Sequence, residues 1–308
     1  MDRRQPCGFS RADLCVVVLA LAVLGGLLVM SLARVRDGDG GYYRVACINN
    51  QKEITLAMTL YATSKGKMPS SLSYYVDNDG KYTLGWVEGL MSQLGRPDLA
   101  AGTMSPSVLR ANPPDIALIV CPSDYKKVGA TNAPLSYVVN GGSFKHWHDD
   151  GSFDCLDHGA WPCETNTSGA TGTTTVEYLA KHAKGTKYTI ALGENLDARS
   201  YIPSSPRADY EMSLLWDPSA PLKFNEDAGR GKLDNAHARP SSNHPGGAVI
   251  AFCDGHVEFI SDAIDYKVYA TLMATSSLAG KISNKLGPPS ELDGFFVWPL
   301  DPSMIPTK

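Results

Sequence analysis

The chain has 308 residues, of which 43% are hydrophobic and 19% are charged, and its formal net charge is −4. This length and hydrophobic content suffice for one large globular domain or two smaller ones. The slightly negative charge excludes a general electrostatic affinity for nucleic acid, because no basic face dominates.

The first predicted element is an apolar segment near the N-terminus. Residues 14–33 form a run of 20 residues without a charge. A helix rises about 1.5 Å per residue, so this run spans roughly 30 Å, the thickness of the hydrocarbon core of a bilayer. Arginines flank it on both sides, and the positive-inside rule therefore favours neither orientation strongly. A signal peptide cleaved after Ala33 and an uncleaved signal anchor are two interpretations of the segment.

A third interpretation comes from the residues at its start. Gly8 and Phe9 close a short charged leader, and Asp13 is the fifth residue counted from Phe9. This arrangement resembles the class III signal of type IV prepilins and pseudopilins, in which a leader ends in Gly, a Phe follows, and an acid, usually Glu, holds the fifth mature position. The resemblance implies that a prepilin peptidase cleaves after Gly8 and methylates the new amine of Phe9.

A carboxylate at the edge of a membrane helix needs a positive partner, because a charged group in that position costs stability unless it is paired. Residues 9 and 13 lie one helical turn apart on the same face. Asp13 can therefore pair with the new ammonium group of Phe9, in its own chain or in a neighbouring subunit. The pair predicts assembly through the N-terminal helix.

A glycine-rich stretch, residues 37–41, follows and predicts a kink or hinge. Apolar residues then recur at spacings of three and four, which predicts an amphipathic helix over Tyr43–Ser64 that ends at Gly66. The predicted regions are a prepilin leader (1–8), a transmembrane helix (9–36), a linker with an amphipathic helix (37–69) and a globular head (70–308).

Short apolar runs separated by Gly, Pro, Asn and Asp fill most of the head and predict an antiparallel β-sheet with long loops. The candidate strands are Tyr82–Val87, Ile116–Val120, Tyr137–Asn140 and Tyr188–Leu192. Asp77-Asn78-Asp79-Gly80 begins like an EF-hand loop, but oxygen ligands are missing from the residues that follow, and we interpret it as a hairpin turn. The predicted fold class is α+β, an N-terminal pilin-like helix followed by this head.

The most specific motif lies near the C-terminus. His244 is followed by nine residues and then by Asp254 and Gly255. This spacing resembles the H-x9-DG signature of the prepilin-type processing-associated proteins, the DUF1559 family. Three further blocks resemble that family in the expected order: CPSD at Cys121–Asp124, SYVVNGG at Ser136–Gly142 and LGEN at Leu192–Asn195.

The same residues also predict local structure without the family. Residues 248–253 form an apolar strand, Asp254-Gly255 is a two-residue type I′ hairpin signal, and residues 256–260 return as a second strand. Ser261 or Asp262 is expected to cap a short helix. The favoured interpretation is that His244 bonds to backbone near the turn; a catalytic pair of His244 with Asp254 and a docking surface for assembly partners are the alternatives.

Five cysteines lie beyond the membrane segment. Cys155 and Cys163 are close enough in sequence for a local bridge, and Cys47 and Cys121, in blocks that resemble the family, could tie the helix to the sheet. The sequence does not fix the pairing. Cys253, on an apolar strand, is expected to be a buried thiol. The loop at residues 145–158 is rich in possible metal ligands, among them His146, His148, Asp150 and His158. Their spacing matches no zinc signature, so we expect a solvated loop and no metal.

No serine-hydrolase elbow, Walker loop, dinucleotide-binding loop or metalloprotease helix is present, which argues against an enzyme, and we expect no cofactor. The resemblances imply a pilin-like or pseudopilin-like subunit anchored in the inner membrane, with its head outside the cytoplasm. Its partners would be copies of itself or other pilin-like subunits, a prepilin peptidase and inner-membrane assembly machinery. The alternative is a membrane-anchored periplasmic binding module or a metal-dependent hydrolase, with the loop at residues 146–158 as its site.

Overall fold

A computed structural model provides the structure of the protein. It describes residues 11–36, 41–127, 132–143, 174–181, 185–204, 211–216, 223–226, 237–275 and 300–307. The chain divides into two compact units, Met1–Tyr42 and Tyr43–Lys308. The described strands all belong to the second unit.

The first unit contains helix α1, which spans Arg11–Arg36. The structure describes its side chains over residues 14–26, and the large apolar ones in that range are exposed. Within the described residues, no helix combines the length and the apolar character required to cross a bilayer. The transmembrane assignment of residues 9–36 stays a prediction, and residues 37–40 of the expected hinge lie outside the described residues.

The amphipathic helix predicted over Tyr43–Ser64 is confirmed as α2, which spans Gly41–Lys65. Its buried residues lie on one face of the helix. They are Cys47, Gln51, Ile54, Thr55, Ala57, Met58 and Ala62. Gln51 fastens this face to a strand of the sheet, because its Nε2 donates to the carbonyl oxygen of Val249 at 2.9 Å. Gly66 follows the last helical residue with a φ of +70°, the left-handed conformation that ends many helices.

A two-stranded hairpin follows α2. Strand β1, Leu72–Asp77, pairs antiparallel with β2, Gly80–Gly85. Asp77 shapes the turn between them, because its Oδ1 accepts hydrogen bonds from the backbone N–H groups of Asp79 and Gly80. The hairpin turn predicted at residues 77–80 is confirmed, and Ser105 Oγ also donates to its acids, to Asp77 Oδ2 at 3.0 Å and to Asp79 Oδ2 at 2.9 Å.

The remaining strands form one five-stranded sheet. They are β3 (Tyr137–Ser143), β4 (Ile190–Glu194), β5 (Ser213–Trp216), β6 (Gly247–Phe252) and β7 (Val257–Ser261). Their order across the sheet is β5-β3-β4-β6-β7. Every residue of β4, β5 and β6 is buried, so both faces of these strands are covered. Double-sided burial explains why their sequences are continuous apolar runs without polar alternation.

The sheet is mixed, whereas the sequence predicts an antiparallel one. The pairs β3–β4, β4–β6 and β6–β7 are antiparallel, but β5 runs parallel to β3. The cause is the path of the chain. Strand β4 ends beside the start of β3, where Glu194 faces Tyr137. The chain then enters β5 from that same end on the far side of β3, and so it runs in the direction of β3.

Four short helices complete the described part of the second unit. They are α3 (Trp86–Leu90), α4 (Pro106–Ala111), α5 (Val176–Lys181) and α6 (Tyr266–Met273). Helix α6 is capped by Asp265, whose carboxylate accepts from the Lys267 N–H at 2.7 Å, and not by Ser261 or Asp262 as predicted. Asn140 on β3 ties α6 to the sheet, since its Nδ2 donates to the carbonyl oxygen of Met273 at 2.8 Å.

Three of the four candidate strands are wrong in whole or in part. The strand expected over Tyr82–Val87 ends at Gly85, because the Glu88 carboxylate accepts from the Gly85 N–H at 2.9 Å and begins α3 there. The strand expected over Ile116–Val120 is a 3-10 turn, Ala117–Ile119. Tyr137–Asn140 is confirmed within β3, and Tyr188–Leu192 is confirmed from Ile190 onward as β4.

The hairpin predicted around Asp254-Gly255 is confirmed, but its turn type is wrong. Residues 253–256 connect β6 to β7, and of these four only Gly255 has a positive φ, +90°. A type I′ turn needs positive φ at both central residues. The Gly255 N–H instead donates to the carbonyl oxygen of Phe252 at 2.9 Å, and the Phe252 N–H donates to that of His256 at 2.9 Å. The four-residue connection gives Asp254 an ordinary negative φ.

The first testable prediction concerns Gly247, where β6 begins. A Cβ at this position would overlap the carbonyl oxygen of Ile260 on β7, so Gly247→Ala must push the two strands apart. We expect a loss of about 2 kcal/mol or more in the free energy of unfolding. Chemical denaturation measures it. Gly89→Ala in α3, where a Cβ meets nothing within 4 Å, is the control and should be neutral or stabilising by up to about 1 kcal/mol. Equal stabilities for the two variants would contradict the packing argument.

Candidate functional site

Four side chains from distant parts of the sequence meet in the core of the second unit. They are Cys47, Cys121, Glu194 and His244, here termed the Cys–His–Glu cluster. Each of the four residues is buried, with at most 2% of its surface exposed. Cys47 and Cys121 form a disulfide bond that closes a sequence separation of 74 residues.

The imidazole of His244 is the centre of the cluster. Its Nε2 lies 3.3 Å from Cys47 Sγ, 3.5 Å from Cys121 Sγ and 3.3 Å from Glu194 Oε1. A carboxylate and a disulfide can only accept hydrogen bonds, so these neighbours assign the ring proton to Nε2. Nδ1 is buried and has no hydrogen-bond partner among the described residues.

Helix α2 positions Cys47. Cys47 lies one turn before Gln51 on the buried face of the helix, so the bond from Gln51 to β6 also fixes the direction of the cysteine. Asn50, on the adjoining surface, donates from Nδ2 to the carbonyl oxygen of Val120 at 3.3 Å. This bond brings the segment that contains Cys121 up to the helix.

Strands β4 and β6 position the other half of the cluster. Glu194 is the last residue of β4, and its Oε2 accepts from the Val249 N–H at 2.7 Å, a short charge-assisted bond. His244 lies just before β6 in a turn held by Ser242, whose hydroxyl accepts from the His244 N–H and donates to the Gly247 carbonyl oxygen, both at 2.9 Å. The backbone of two paired strands therefore sets the distance between carboxylate and imidazole.

Tyr137 borders the cluster on β3 and is fully buried. Burial raises its pKa well above the usual range, and the negative charge of Glu194 raises the pKa further. The phenol therefore stays neutral and acts as a hydrogen-bonding group, accepting from Asn50 Nδ2 at 3.4 Å. It contributes no second negative charge beside the carboxylate.

The cluster also has the donor set of a metal site. One ligand atom from each of the four residues lies within 4.8 Å of the others. Thiolate, imidazole and carboxylate are the groups that bind zinc in proteins, and four protein ligands make a closed structural site. In the disulfide form the two sulfurs are bonded to each other, so the cluster acts as a cross-link.

The comparisons with known proteins give a family. The family model described as "Protein of unknown function (DUF1559)" matches residues 44–267, which is most of the chain. The chain belongs to the DUF1559 family. Searches of curated proteins and of solved structures find no match. The family match starts three residues before Cys47 and ends within α6, so the whole Cys–His–Glu cluster lies inside the DUF1559 region.

The two ends of the H-x9-DG signature do not meet. His244 precedes β6 and Asp254 follows it, so a strand of about 20 Å separates them, which excludes the catalytic pair. Asp254 instead contacts the His256 ring beside it, and Gly255 supplies the positive φ of the connection. The expectation that the side chain of His244 bonds to backbone is also wrong, because its ring nitrogen lies against the disulfide and Glu194.

The possible disulfide between Cys47 and Cys121 is confirmed, and Cys253 is a buried thiol whose Sγ lies 3.8 Å from the Ile190 carbonyl oxygen. The suggested bridge between Cys155 and Cys163 lies outside the described residues. The same holds for the donor-rich loop with His146, His148, Asp150 and His158.

At the N-terminus, Gly8 and Phe9 lie outside the described residues, and Asp13 is the third residue of α1.

Sequence reasoning missed Glu194. The LGEN block that contains it resembles the DUF1559 family, but nothing in a single sequence relates its carboxylate to a histidine 50 positions later. The available signal was the acidic residue that ends the otherwise apolar segment Ile190–Glu194. Buried carboxylates require a partner, so Glu194 at the end of an apolar run was a candidate for a paired site.

The second prediction concerns the cross-link. The Cys47–Cys121 bond closes a loop with a sequence separation of 74 residues. Because this loop restricts the unfolded chain and lowers its entropy, we expect the bond to stabilise the fold by about 4 kcal/mol. We expect the double variant Cys47→Ser/Cys121→Ser to lose about this much in denaturant titrations under oxidising conditions. Cys253→Ala is the matched control, since it removes a buried thiol outside the cross-link. A double variant within about 1 kcal/mol of the parent protein would contradict the loop-closure argument.

Proposed function

We propose that this DUF1559 protein is a pilin-like or pseudopilin-like structural subunit without enzymatic activity. A prepilin peptidase removes residues 1–8, and residues 9–36 hold the subunit in the inner membrane. The subunit then assembles through this helix, with copies of itself or with other pilin-like subunits, into a filament or secretion pseudopilus. Inner-membrane machinery drives the assembly, and the head lies outside the cytoplasm.

The observation that carries the proposal is the exposed apolar surface of α1. Val16, Leu19 and Leu24 are each more than 60% exposed, and other large apolar side chains between residues 14 and 26 share this exposure. Burial of one such side chain contributes about 1.5–3 kcal/mol. A run of them therefore favours transfer into lipid or packing against other apolar helices. In a pilin-like subunit this apolar surface contacts lipid before assembly and the helices of neighbouring subunits after it.

The position of Asp13 gives further support. It lies in the first turn of α1, four residues after Phe9 in the sequence, where an acid that faces an apolar environment needs a cation. Cleavage after Gly8 would create such a cation on Phe9. In an assembled filament the pair would form between subunits and would select the correct stagger between neighbouring helices.

The disulfide supports the location of the head. Disulfides persist in oxidising compartments and are rare in the cytosol. The Cys47–Cys121 bond joins α2 to the head, and it is compatible with a domain that is exported and then displayed outside the cytoplasm.

The third prediction tests processing. Intact-mass measurement of the protein isolated from cells that make it should give a chain that begins at Phe9 and carries one added methyl group. The physical reason is that cleavage creates a charged amine on Phe9, one helical turn from Asp13, which can neutralise the carboxylate in an apolar environment. A mature chain that still begins at Met1, or one that begins after Ala33, would exclude the pilin-like assignment.

The fourth prediction tests assembly. Asp13→Ala should abolish incorporation into sheared filaments or into the pseudopilus, because the Phe9 ammonium group loses its partner. The head should stay folded, as judged by circular dichroism and by the intact Cys47–Cys121 bond. Asp39→Ala is the matched control, since it removes an acid that follows the C-terminal end of α1 in the sequence, and this variant should assemble normally. Normal assembly of Asp13→Ala would refute the pairing.

A further inference from the structure

We infer that the Cys–His–Glu cluster is a zinc site in the reduced protein, so that one cluster provides two alternative cross-links: the disulfide between its two cysteines when oxidised, and a Zn²⁺ centre held by all four residues when reduced. The metal is bound by Cys47, Cys121, His244 and Glu194. This inference does not depend on the proposed assembly of the chain.

The distances within the cluster carry the inference. Zinc with bonds of about 2.0–2.3 Å to nitrogen, oxygen and sulfur has tetrahedral ligand–ligand edges of roughly 3.3–3.8 Å. The edges from His244 Nε2 to the two sulfurs and to Glu194 Oε1 are 3.3, 3.5 and 3.3 Å. Three of the edges therefore already have tetrahedral lengths. The ligand atoms of all four residues lie within 4.8 Å of one another. The sulfur–sulfur edge must lengthen for both sulfurs to bind the metal, and reduction of their bond allows it.

The chemistry of the donors selects the metal. Two thiolates with an imidazole favour zinc over calcium or magnesium, which prefer oxygen ligands. A carboxylate completes the four ligands that zinc prefers. All four positions are occupied by buried protein groups, so no coordination position remains for substrate or water. The site is thus structural rather than catalytic.

Bonds to the surrounding backbone hold two of the four ligands in place, as the outer shell of a metal site does. Glu194 is held through Oε2 by the Val249 N–H at 2.7 Å, which leaves Oε1 directed at His244. Cys47 is held by the α2 face that Gln51 fastens to β6. Both arrangements are independent of the disulfide and remain when it is reduced.

Reduction of the Cys47–Cys121 bond converts the disulfide form of the cluster into the zinc form. A dithiol reductant transfers two electrons and two protons to the disulfide, giving two protein thiols and the oxidised reductant. Zn²⁺ then binds both sulfurs and releases the two thiol protons to solvent. The proton on His244 Nε2 moves to Nδ1, which has no hydrogen-bond partner among the described residues, and Nε2 becomes a ligand. A disulfide oxidant reverses the sequence and expels the metal.

The fifth prediction tests the site in the full-length chain in detergent micelles. One sample is oxidised and the other is reduced with a phosphine; both are incubated with Zn²⁺, passed over a desalting column and analysed for metal. We expect about one additional Zn²⁺ per chain in the reduced sample. Co²⁺ in place of Zn²⁺ should give a thiolate-to-cobalt charge-transfer band in the reduced sample only.

The variants separate this cluster from other thiols and histidines. Glu194→Gln keeps the shape of the side chain but removes the charged ligand, and His244→Ala removes the central one. Each should weaken zinc binding by more than about 100-fold, the upper end of what loss of an outer-shell partner costs. The matched controls, Cys253→Ala and the double variant Cys155→Ser/Cys163→Ser, should bind zinc as the parent chain does.

Several results would overturn the inference. They are equal zinc contents in the oxidised and reduced samples, zinc binding that survives Glu194→Gln and His244→Ala, and a reduced chain that is unfolded by circular dichroism even with Zn²⁺ present. Zinc that is lost with the Cys155→Ser/Cys163→Ser variant would also overturn it, because it would place the metal elsewhere in the chain.

Discussion

The Cys47–Cys121 bond joins α2 to the segment that leads into the five-stranded sheet, and the side chains of His244 and Glu194 lie beside it. The two cysteines come from outside the sheet, while the acid ends β4 and the histidine precedes β6. Helix, connecting segment and two central strands are thus held at a single buried point. The positions of α2 and of the paired strands follow from this constraint, because each is also fastened there by its own hydrogen bond.

Burying an acid, an imidazole and a disulfide together is costly unless their polar atoms are paired. The Glu194 carboxylate meets this condition with one backbone N–H and one ring nitrogen. Asn50 and Tyr137 bond to each other at its border, and the phenol remains neutral. Tyr137 and Glu194 belong to two of the blocks that resemble the DUF1559 family, SYVVNGG and LGEN, and the pairing of β3 with β4 brings these two blocks together in the core.

The sequence predicts the parts of this arrangement that depend on local patterns. The stripe of apolar residues in α2, the Asp77 turn and the β6–β7 hairpin all follow from spacing or turn chemistry, and the structure confirms them. Ile116–Val120 is apolar enough for a strand but forms a 3-10 turn, because the surrounding tertiary structure overrides its propensity. The parallel pairing of β5 with β3 depends on the path of the chain. The contact of His244 with a glutamate 50 residues earlier depends on strand order, which no local pattern encodes.

The covalent link also determines how the head responds to mechanical load. Cys47 lies within the first two turns of α2. A pulling force applied at the start of α2 therefore passes from Cys47 through the sulfur–sulfur bond to Cys121. The residues enclosed between them, including the β1–β2 hairpin, α3 and α4, are bypassed and cannot be stretched. For a force that leaves the chain after Cys121, the load therefore falls on the strands that follow, β3 to β7.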